Sequence, residues 1–405
     1  MSEKPVIVFA SAIYPGQFGE LCDYLRASGM AETYFLTSAG YHAKYKECGA
    51  HILPFQADGA IAGEQGYALS AKVERASRAS RGLLAALQQF EKKRKIDVVV
   101  THSLWGAPHF LYDEIDAAIV SYVEFPSYRM HGWDKDYPPD LAQRLGDKNS
   151  EMLNFYQALR NDLTIVSSQH VKEMFPPELR GKIEVQAEGL NFGPTLVPKP
   201  DRPFTIGFTA RDLSNAKGYD TFYRIVDQAL AEGIEAKFIA IGASEGATYG
   251  YEQQWVQRKY DGALTSFAQH LAKSFPKAAA EIQEIGFLPH AEYVEKLSEI
   301  DLFLYPLRFG GANWGLAEIL GRGGCVLASD HPFTREHIQD GVNGMIAGDQ
   351  IEDWLSIIRK LQADANLRQR LRAAARILGQ SQSLQSVAPR YMSLFHKAIR
   401  HRKGN

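Results

Sequence analysis

Short runs of apolar and β-branched residues alternate with longer segments of helical periodicity along most of the chain. In the first half, the runs that we interpret as buried strands lie at 6–11, 33–38, 51–55, 97–103, 117–123 and 163–168. In the second half, they lie at 204–210, 237–243, 284–288, 301–306, 325–330 and 344–347. Near-continuous hydrophobic strands separated by helices are typical of parallel sheets covered by helices on both faces. The pattern therefore predicts an α/β protein.

The alternation stops once, at a segment rich in proline. Pro194, Pro198, Pro200 and Pro203 lie close together, which is typical of a semi-rigid linker. We predict an N-terminal αβα domain over 1–193, a linker over 194–203 and a C-terminal αβα domain over 204–375. A helix over 376–405 is expected to return to the first domain. Residues 244–282 exceed a normal strand-to-helix connection and are predicted to be a local insertion.

Composition excludes several classes of protein. The 405 residues are 45% hydrophobic and 23% charged, as in globular proteins, and the net charge of −2 does not favour nucleic acid as a partner. Cys22, Cys48 and Cys325 lack metal-binding spacing, which indicates reduced thiols and a cytoplasmic protein. We find no apolar stretch of the length that spans a bilayer. The basic segment 91–95 leaves open a weak peripheral membrane contact, although a solvated helix end is the simpler interpretation.

Candidate anion-binding groups follow predicted strands, where glycine lets backbone N–H groups approach a phosphate. Gly16 and Gly19 follow the first strand, but their spacing is not the dinucleotide fingerprint, and a tight turn is the alternative. In the second half, Arg211 follows a strand, and Lys217 and Gly218 open a helix. Two cations at such a junction suit a diphosphate.

A third junction, RFGGANWGLAE at 308–318, carries several glycines into a predicted helix. We assign donor or nucleotide binding to this loop through Gly310, Gly311, Asn313, Trp314, Gly315, Leu316 and Glu318. The glycines would bring the backbone to the phosphate and sugar. Glu318 could accept hydrogen bonds from ribose hydroxyls. As an isolated residue it would more simply be an acid favoured by the helix dipole.

Taken together, these junctions resemble the second domain of GT-B glycosyltransferases of family 4. The matching residues are Arg211, Lys217, Gly218, Glu318, Gly324, Ser329, Asp330, Glu336, Asp340, Gly341, Asn343 and Gly344. The resemblance implies two Rossmann-like domains facing across a cleft and a nucleotide-sugar donor bound by the second. It also implies a glycan, lipid-linked or protein acceptor, and a role in bacterial surface glycan or glycoconjugate synthesis.

The resemblance further implies a retaining transfer that needs neither metal nor cofactor. Arg211 and Lys217 would stabilise the leaving diphosphate, and Glu318 would contact the ribose. One position departs from the family, because Gly310 stands where the family has a first glutamate that contacts the donor sugar. An Asp-x-Asp pair, Asp134 and Asp136, lies in a loop beside two prolines, and such pairs are common by chance.

The first domain is expected to supply the acceptor side. His102 and Trp105 follow one predicted strand, and aromatic and polar residues after another suit a sugar or ring-shaped acceptor. The second group comprises Tyr128, Arg129, His131 and Trp133. Glu124 occupies the place of a family histidine by alignment, and we assign it a catalytic role in orienting the acceptor hydroxyl or the sugar.

Three other functions share this pattern of strands and helices. A Rossmann-type oxidoreductase would require the full glycine fingerprint after the first strand. A GT-B sugar-nucleotide epimerase would lack the loop that ends at Glu318. A non-catalytic nucleotide-sugar-binding protein is compatible with Gly310 in place of the family's acid.

Overall fold

The structure, a computed structural model, describes residues 4–61, 66–103, 105–131, 133–198, 202–245, 250–311 and 313–404, without the side chain of His131. Internal contacts divide the chain into two compact units. The first unit comprises Met1–Gly132, Leu141–Asn191 and Gln382–Asn405. The second comprises Trp133–Asp140 and Phe192–Ser381. Each unit is built on its own sheet.

The first unit contains a seven-stranded parallel sheet with the order β3-β2-β1-β4-β5-β6-β7. Its strands are β1 (Val6–Ala10), β2 (Glu32–Ser38), β3 (Ile52–Phe55), β4 (Val98–His102), β5 (Ala118–Tyr122), β6 (Leu163–Val166) and β7 (Ile183–Val185). Its helices are α1 (Gly19–Ala27), α2 (Ala39–Tyr45), α3 (Ala71–Glu91), α4 (Tyr128–His131), α5 (Leu141–Arg160), α6 (Gln169–Glu173) and α7 (Pro177–Arg180), joined by the last helix of the chain, Leu384–Arg402.

The second unit contains a six-stranded parallel sheet with the order β10-β9-β8-β11-β12-β13. Its strands are β8 (Thr205–Asp212), β9 (Lys237–Ala243), β10 (Ile282–Gly286), β11 (Leu302–Tyr305), β12 (Val326–Ser329) and β13 (Met345–Ala347). Its helices are α8 (Tyr219–Ala231), α9 (Glu252–Lys259), α10 (Phe267–Ser274), α11 (Pro276–Glu281), α12 (His290–Leu297), α13 (Trp314–Gly321), α14 (Pro332–His337), α15 (Ile351–Ala363) and α16 (Ala365–Gly379). The last helix of the chain is thus α17 (Leu384–Arg402).

Alternation of side chains along each strand builds two hydrophobic layers per sheet. In β1, Ile7 and Phe9 join the layer that includes Tyr391 of α17, whereas Val8 joins the layer that includes Leu83 of α3. Successive residues of a strand point to opposite faces, so a strand buried on both faces must be apolar throughout. Full burial of each large apolar side chain stabilises the fold by roughly 1.5–3 kcal/mol.

The predicted α/β class and the two parallel sheets are confirmed. Each predicted strand run overlaps an observed strand, and β7 is an additional short strand. The segment Trp133–Asp140 belongs by its contacts to the second unit, although its sequence lies within the first half. Among the described residues, the structure has no helix long and apolar enough to cross a membrane.

Candidate functional site

Arg211 is the penultimate residue of strand β8, at the carboxyl edge of the second sheet. Its side chain is 62% exposed, and Nη2 lies 3.4 Å from Oδ1 of the buried Asp212. The strand has a register shift against β9 between Thr209 and Asp212. Arg211 is therefore an accessible cation at the edge where ligands bind in parallel α/β sheets.

The Lys217–Gly218 turn packs directly against the end of strand β11. Gly218 has a φ of +81°, and a Cβ at this position would stand 1.8 Å from the carbonyl oxygen of Pro306. Only glycine combines a left-handed backbone with so close an approach. The contact places the turn beside the loop that follows β11. Lys217 Nζ lies 4.0 Å from the point that a Cβ of Gly310 would occupy.

The place of the family's first glutamate is thus adjacent to the Lys217 ammonium. Gly310 has a φ of +143°, a backbone conformation that side chains with a Cβ rarely adopt. A glutamate would be strained on this backbone. At position 310 the chain therefore differs from the family in two ways: it lacks the carboxylate, and its backbone conformation does not suit a residue with a side chain.

Arg308, which the sequence analysis did not single out, pairs with three carboxylates beside this turn. Its Nη1 lies 2.5 Å from Asp220 Oδ2, its Nη2 lies 2.6 Å from Asp136 Oδ2, and its Nε lies 3.1 Å from Asp134 Oδ2. The hydrogen bond from Arg308 lowers the pKa of Asp136. Burial raises the pKa of Asp220, against the opposing effect of Arg308 and Arg224. Both carboxylates of the Asp-x-Asp pair thus form ion pairs with one guanidinium.

Glu318 lies one turn into α13, whose start is capped by Asn313. The Asn313 Oδ1 accepts a hydrogen bond of 3.1 Å from the backbone N–H of Leu316. Glu318 Oε1 lies 2.9 Å from Arg322 Nε and 2.9 Å from His290 Nε2. Arg322 is buried, while the His290 side chain is 70% exposed. Both contacts use one carboxylate oxygen, and the side chain retains partial exposure.

The other residues of the predicted donor loop form the path from β11 to α13. Gly310 and Gly311 precede the helix, and Trp314, Gly315 and the buried Leu316 form its first turn. The Trp314 side chain is exposed. Because β8 and β11 are neighbours in one parallel sheet, their following loops emerge at the same edge. The structure therefore brings Arg211, Lys217 and the segment from Gly310 to Glu318 to one edge of the second unit.

A separate group gathers at the carboxyl edge of the first sheet. His102 ends β4 and is buried, and its Nε2 lies 3.6 Å from Oε2 of Glu124, which follows the adjacent strand β5. Gln17, after β1, donates a hydrogen bond of 3.4 Å to the same carboxylate oxygen. The Trp105 backbone N–H donates to His102 Nδ1 at 3.4 Å, and its ring is exposed. Residues at or after the carboxyl ends of three neighbouring strands, β1, β4 and β5, thus meet at Glu124.

Gly16 and Gly19 form the tight turn that leads into α1. A Cβ on Gly16, which has a φ of +50°, would lie 2.8 Å from the carbonyl oxygen of Ile13. A Cβ on Gly19 would lie 2.3 Å from Pro15 Cβ. Chain packing accounts for both glycines, and their predicted contact with the donor stays a prediction.

The remaining predicted acceptor residues have different surroundings. The Tyr128 ring lies 4.8 Å from that of Phe125, and Arg129 Nη2 lies 2.7 Å from Glu151 Oε1. The side chain of His131 lies outside the described residues. Trp133 belongs to a segment of the second unit, so the structure does not group it with the first-unit residues.

One cluster of metal-ligand type occurs among the described residues. It comprises Cys22, Asp23 and His51, and His51 Nε2 lies 2.6 Å from Asp23 Oδ1. Burial raises the pKa of the Cys22 thiol to about 12. Because the thiolate is the form that binds metals, this burial disfavours ligation by Cys22.

Two family models match successive parts of the chain. The glycosyl transferase family 4 group matches residues 30–194, and the glycosyl transferases group 1 matches residues 197–377. No curated protein matches the sequence.

Solved structures with a similar fold cover almost the whole chain. Sucrose-phosphate synthase from Thermosynechococcus elongatus has a TM-score of 0.73 at 14% identity, over 98% of this chain and 99% of that one. Anabaena HepE in complex with UDP-glucose has a TM-score of 0.66 at 14% identity, over 96% and 99%. A glycosyltransferase from Rickettsia africae has a TM-score of 0.63 at 14% identity, over 98% and 99%. These similarities establish the fold that the chain shares with them.

Proposed function

We propose that this chain, which belongs to the family 4-like glycosyltransferases of the GT-B fold, transfers a sugar from a nucleoside diphosphate donor. The acceptor would be a glycan, a lipid-linked sugar or a protein, in bacterial surface glycan or glycoconjugate synthesis in the cytoplasm. One observation carries the donor assignment. The close contact of Gly218 with Pro306 places Lys217 beside the loop between β11 and α13, at the same sheet edge as Arg211.

The chemistry of transfer explains why cations belong at this edge. Breaking the bond between sugar and phosphate leaves negative charge on the departing diphosphate, while the sugar becomes oxocarbenium-like. Groups that are already aimed at this charge stabilise the transition state without further reorganisation. We assign that role to Arg211 and Lys217, together with backbone N–H groups of Gly310 and Gly311. With these groups neutralising the diphosphate, the proposed reaction needs no metal.

Glu318 and the first-unit group take the complementary roles in this proposal. Glu318, held by Arg322 and His290, would accept hydrogen bonds from the ribose hydroxyls. Glu124, beside His102, would orient the acceptor hydroxyl or the donor sugar. Trp105, Tyr128 and Arg129 would contact the acceptor. Retention of the anomeric configuration is part of the proposal through the resemblance to family 4.

UDP-sugars are the first donors to test. HepE, one of the similar structures, was solved in complex with UDP-glucose and with UDP. We would incubate the protein with UDP-glucose and with GDP-, ADP- and dTDP-glucose, each with a panel of sugar acceptors, and measure nucleoside diphosphate release. NMR of the product would give its anomeric configuration. Release with one donor, dependent on acceptor, would support the proposal, and inversion would remove its retaining part.

Gly310 favours a second candidate, a nucleotide-sugar-binding protein without transfer activity. The place of the family's sugar-contacting glutamate carries no side chain and has a backbone unsuited to one. Tight binding of a nucleotide sugar without release of nucleoside diphosphate, with every acceptor tried, would favour this candidate over the transferase.

A further inference from the structure

Eight residues from the first half of the sequence form an integral part of the second unit. We refer to Trp133–Asp140 as the strap. Tyr137 of the strap is buried in the hydrophobic layer that includes Phe208 and Trp354. Its ring lies 5.0 Å from that of Trp255 and 4.9 Å from that of Phe267, both edge-on. Burial of the Tyr137 ring therefore anchors the strap to the second unit.

Arg308 pairs with two of the three aspartates of the strap, Asp134 and Asp136. It binds Asp134 and Asp136 of the strap and, through Nη1, Asp220 of α8. Asp220 is fully buried, so a charge-assisted hydrogen bond is needed to offset its desolvation. The planar guanidinium donates in three directions at once, which a lysine ammonium on a flexible stem cannot reproduce.

The same network fixes the residues immediately before Lys217. The backbone N–H groups of Arg308 and Phe309 both donate to the carbonyl oxygen of Ala216, at 3.1 and 3.2 Å. The side-chain amide of Asn215 donates to Asp134 Oδ2 at 2.7 Å. The turn that carries Lys217 is thus tied to the segment of Arg308 through its backbone and to the strap through a side chain.

We propose that Arg308 is a positioning residue which, together with the strap, holds the Asn215–Gly218 turn so that Lys217 meets the diphosphate of the donor. This inference rests on the proposed function and adds a component outside the nucleotide contacts themselves. Lysine has a long, mobile side chain, and its contribution to phosphate binding depends on a fixed backbone attachment. The strap makes part of that attachment depend on residues far away in the sequence.

The test compares Arg308→Gln with a matched loss of an ion pair on the same strap. Arg258 Nη1 lies 2.9 Å from Asp140 Oδ2 at the opposite end of the strap, and both side chains are exposed. We would measure the dissociation constants of UDP by calorimetry and of uridine by ligand-observed NMR. The wild type, Arg308→Gln, Arg308→Lys and Arg258→Gln would be compared, each also in a Lys217→Ala background. GDP, ADP and dTDP with their nucleosides replace the uridine pair if UDP does not bind.

The inference predicts that Arg308→Gln weakens UDP binding at least 10-fold and leaves uridine binding within 2-fold. Arg308→Lys should recover part of the loss, and Arg258→Gln should change neither constant. In the Lys217→Ala background, Arg308→Gln should not weaken UDP binding further, because Arg308 acts through Lys217. Asn215→Ala, which keeps the ion pair between Arg308 and the buried Asp220 intact, should weaken UDP binding several-fold. This variant tests the inference if Arg308→Gln does not fold.

Several results would overturn the inference while leaving the proposed function in place. They are wild-type UDP affinity in Arg308→Gln and Asn215→Ala, equal weakening of UDP and uridine, or an undiminished effect of Arg308→Gln in the Lys217→Ala background. Failure of the wild type to bind any of the four nucleoside diphosphates would instead remove the proposed function, and this inference with it.

Discussion

The two sheet edges that carry candidate groups are built in different ways. At the second-unit edge, backbone contacts set the geometry. Gly218 packs closely against the carbonyl oxygen of Pro306, and the carbonyl oxygen of Ala216 accepts hydrogen bonds from two backbone N–H groups. At the first-unit edge, side chains meet one another, as where Glu124 lies near His102 and accepts a hydrogen bond from Gln17. Backbone contacts tolerate few substitutions, whereas side-chain contacts can be exchanged residue by residue.

This difference matches the tasks that we propose for the two edges. A diphosphate is common to all nucleotide sugars, so a fixed backbone cradle can serve any of them. Acceptors differ in shape and polarity, and exposed rings such as that of Trp105 can be replaced without disturbing the sheet. Single substitutions at each edge can show whether the second-unit edge is rigid and dedicated to nucleotide, and whether the first-unit edge acts independently of nucleotide binding.

The largest expected effect is that of Gly218→Ala. The new Cβ would clash with Pro306 in a left-handed backbone, so the free energy of unfolding should fall by about 2–4 kcal/mol, and UDP binding should be lost. Urea denaturation and calorimetry provide the measurements. Gly233→Ala is the matched control, because Gly233 has a φ of +69° but open space around it, and it should cost about 1 kcal/mol. Equal losses in both variants would contradict the backbone contact.

Glu318→Gln should weaken UDP binding by roughly 10- to 100-fold, since a hydrogen bond to a charged group contributes about 1.5–3 kcal/mol. The variant also removes the carboxylate that faces Arg322 and His290. The control is Glu292→Gln, an exposed acid in the first turn of α12. If Glu318 served only the helix dipole, the two variants would behave alike in nucleotide titrations.

Trp105→Ala should raise the KM for the acceptor by up to about 10-fold and leave the nucleotide dissociation constant unchanged, because the stacking contact of an aromatic ring contributes about 0.5–1.5 kcal/mol. Steady-state kinetics with varied acceptor gives the first value, and calorimetry gives the second. Phe110→Ala removes another exposed ring of the same unit and should alter neither. A rise in the nucleotide constant of Trp105→Ala would contradict the separation of the two edges.

The smallest effect concerns acid stability of the first unit. Burial lowers the pKa of His109 to about 4, and its Nε2 lies 3.0 Å from Ser77 Oγ. As pH falls from 6.5 to 4, the unfolded chain takes up a proton before the folded chain does. The free energy of unfolding should therefore fall across this window, by at most about 1.4 kcal/mol per pH unit from this group.

His109→Gln should flatten that decline, because glutamine retains a polar partner for Ser77 but does not titrate. Denaturation curves at several pH values between 4 and 7 check the slope. The matched control is His396→Gln, at an exposed position of α17. An unchanged slope in His109→Gln would show that this imidazole does not determine the acid sensitivity.

Most of the fold was predictable because buried parallel strands are read from continuous apolar runs, as at β1 and β9. The resemblance to family 4 also predicted roles for Lys217, Gly218 and Glu318, whose types and spacing are visible in the sequence. Arg308 was missed because its partners Asp134 and Asp136 precede it by more than 170 positions. No local periodicity in the sequence indicates such a pairing. The only sign in the sequence was the Asp-x-Asp pair itself, to which no role had been assigned.

The most direct measurement is calorimetric titration of the wild type, Lys217→Ala and Lys237→Ala with UDP, GDP, ADP and dTDP. Lys237 is an exposed lysine at the start of β9 and serves as the control for the loss of a surface cation. Our account predicts that one nucleotide binds the wild type and Lys237→Ala equally and binds Lys217→Ala at least 10-fold more weakly. Equal affinity for all three proteins, or no binding of any nucleotide, would contradict it.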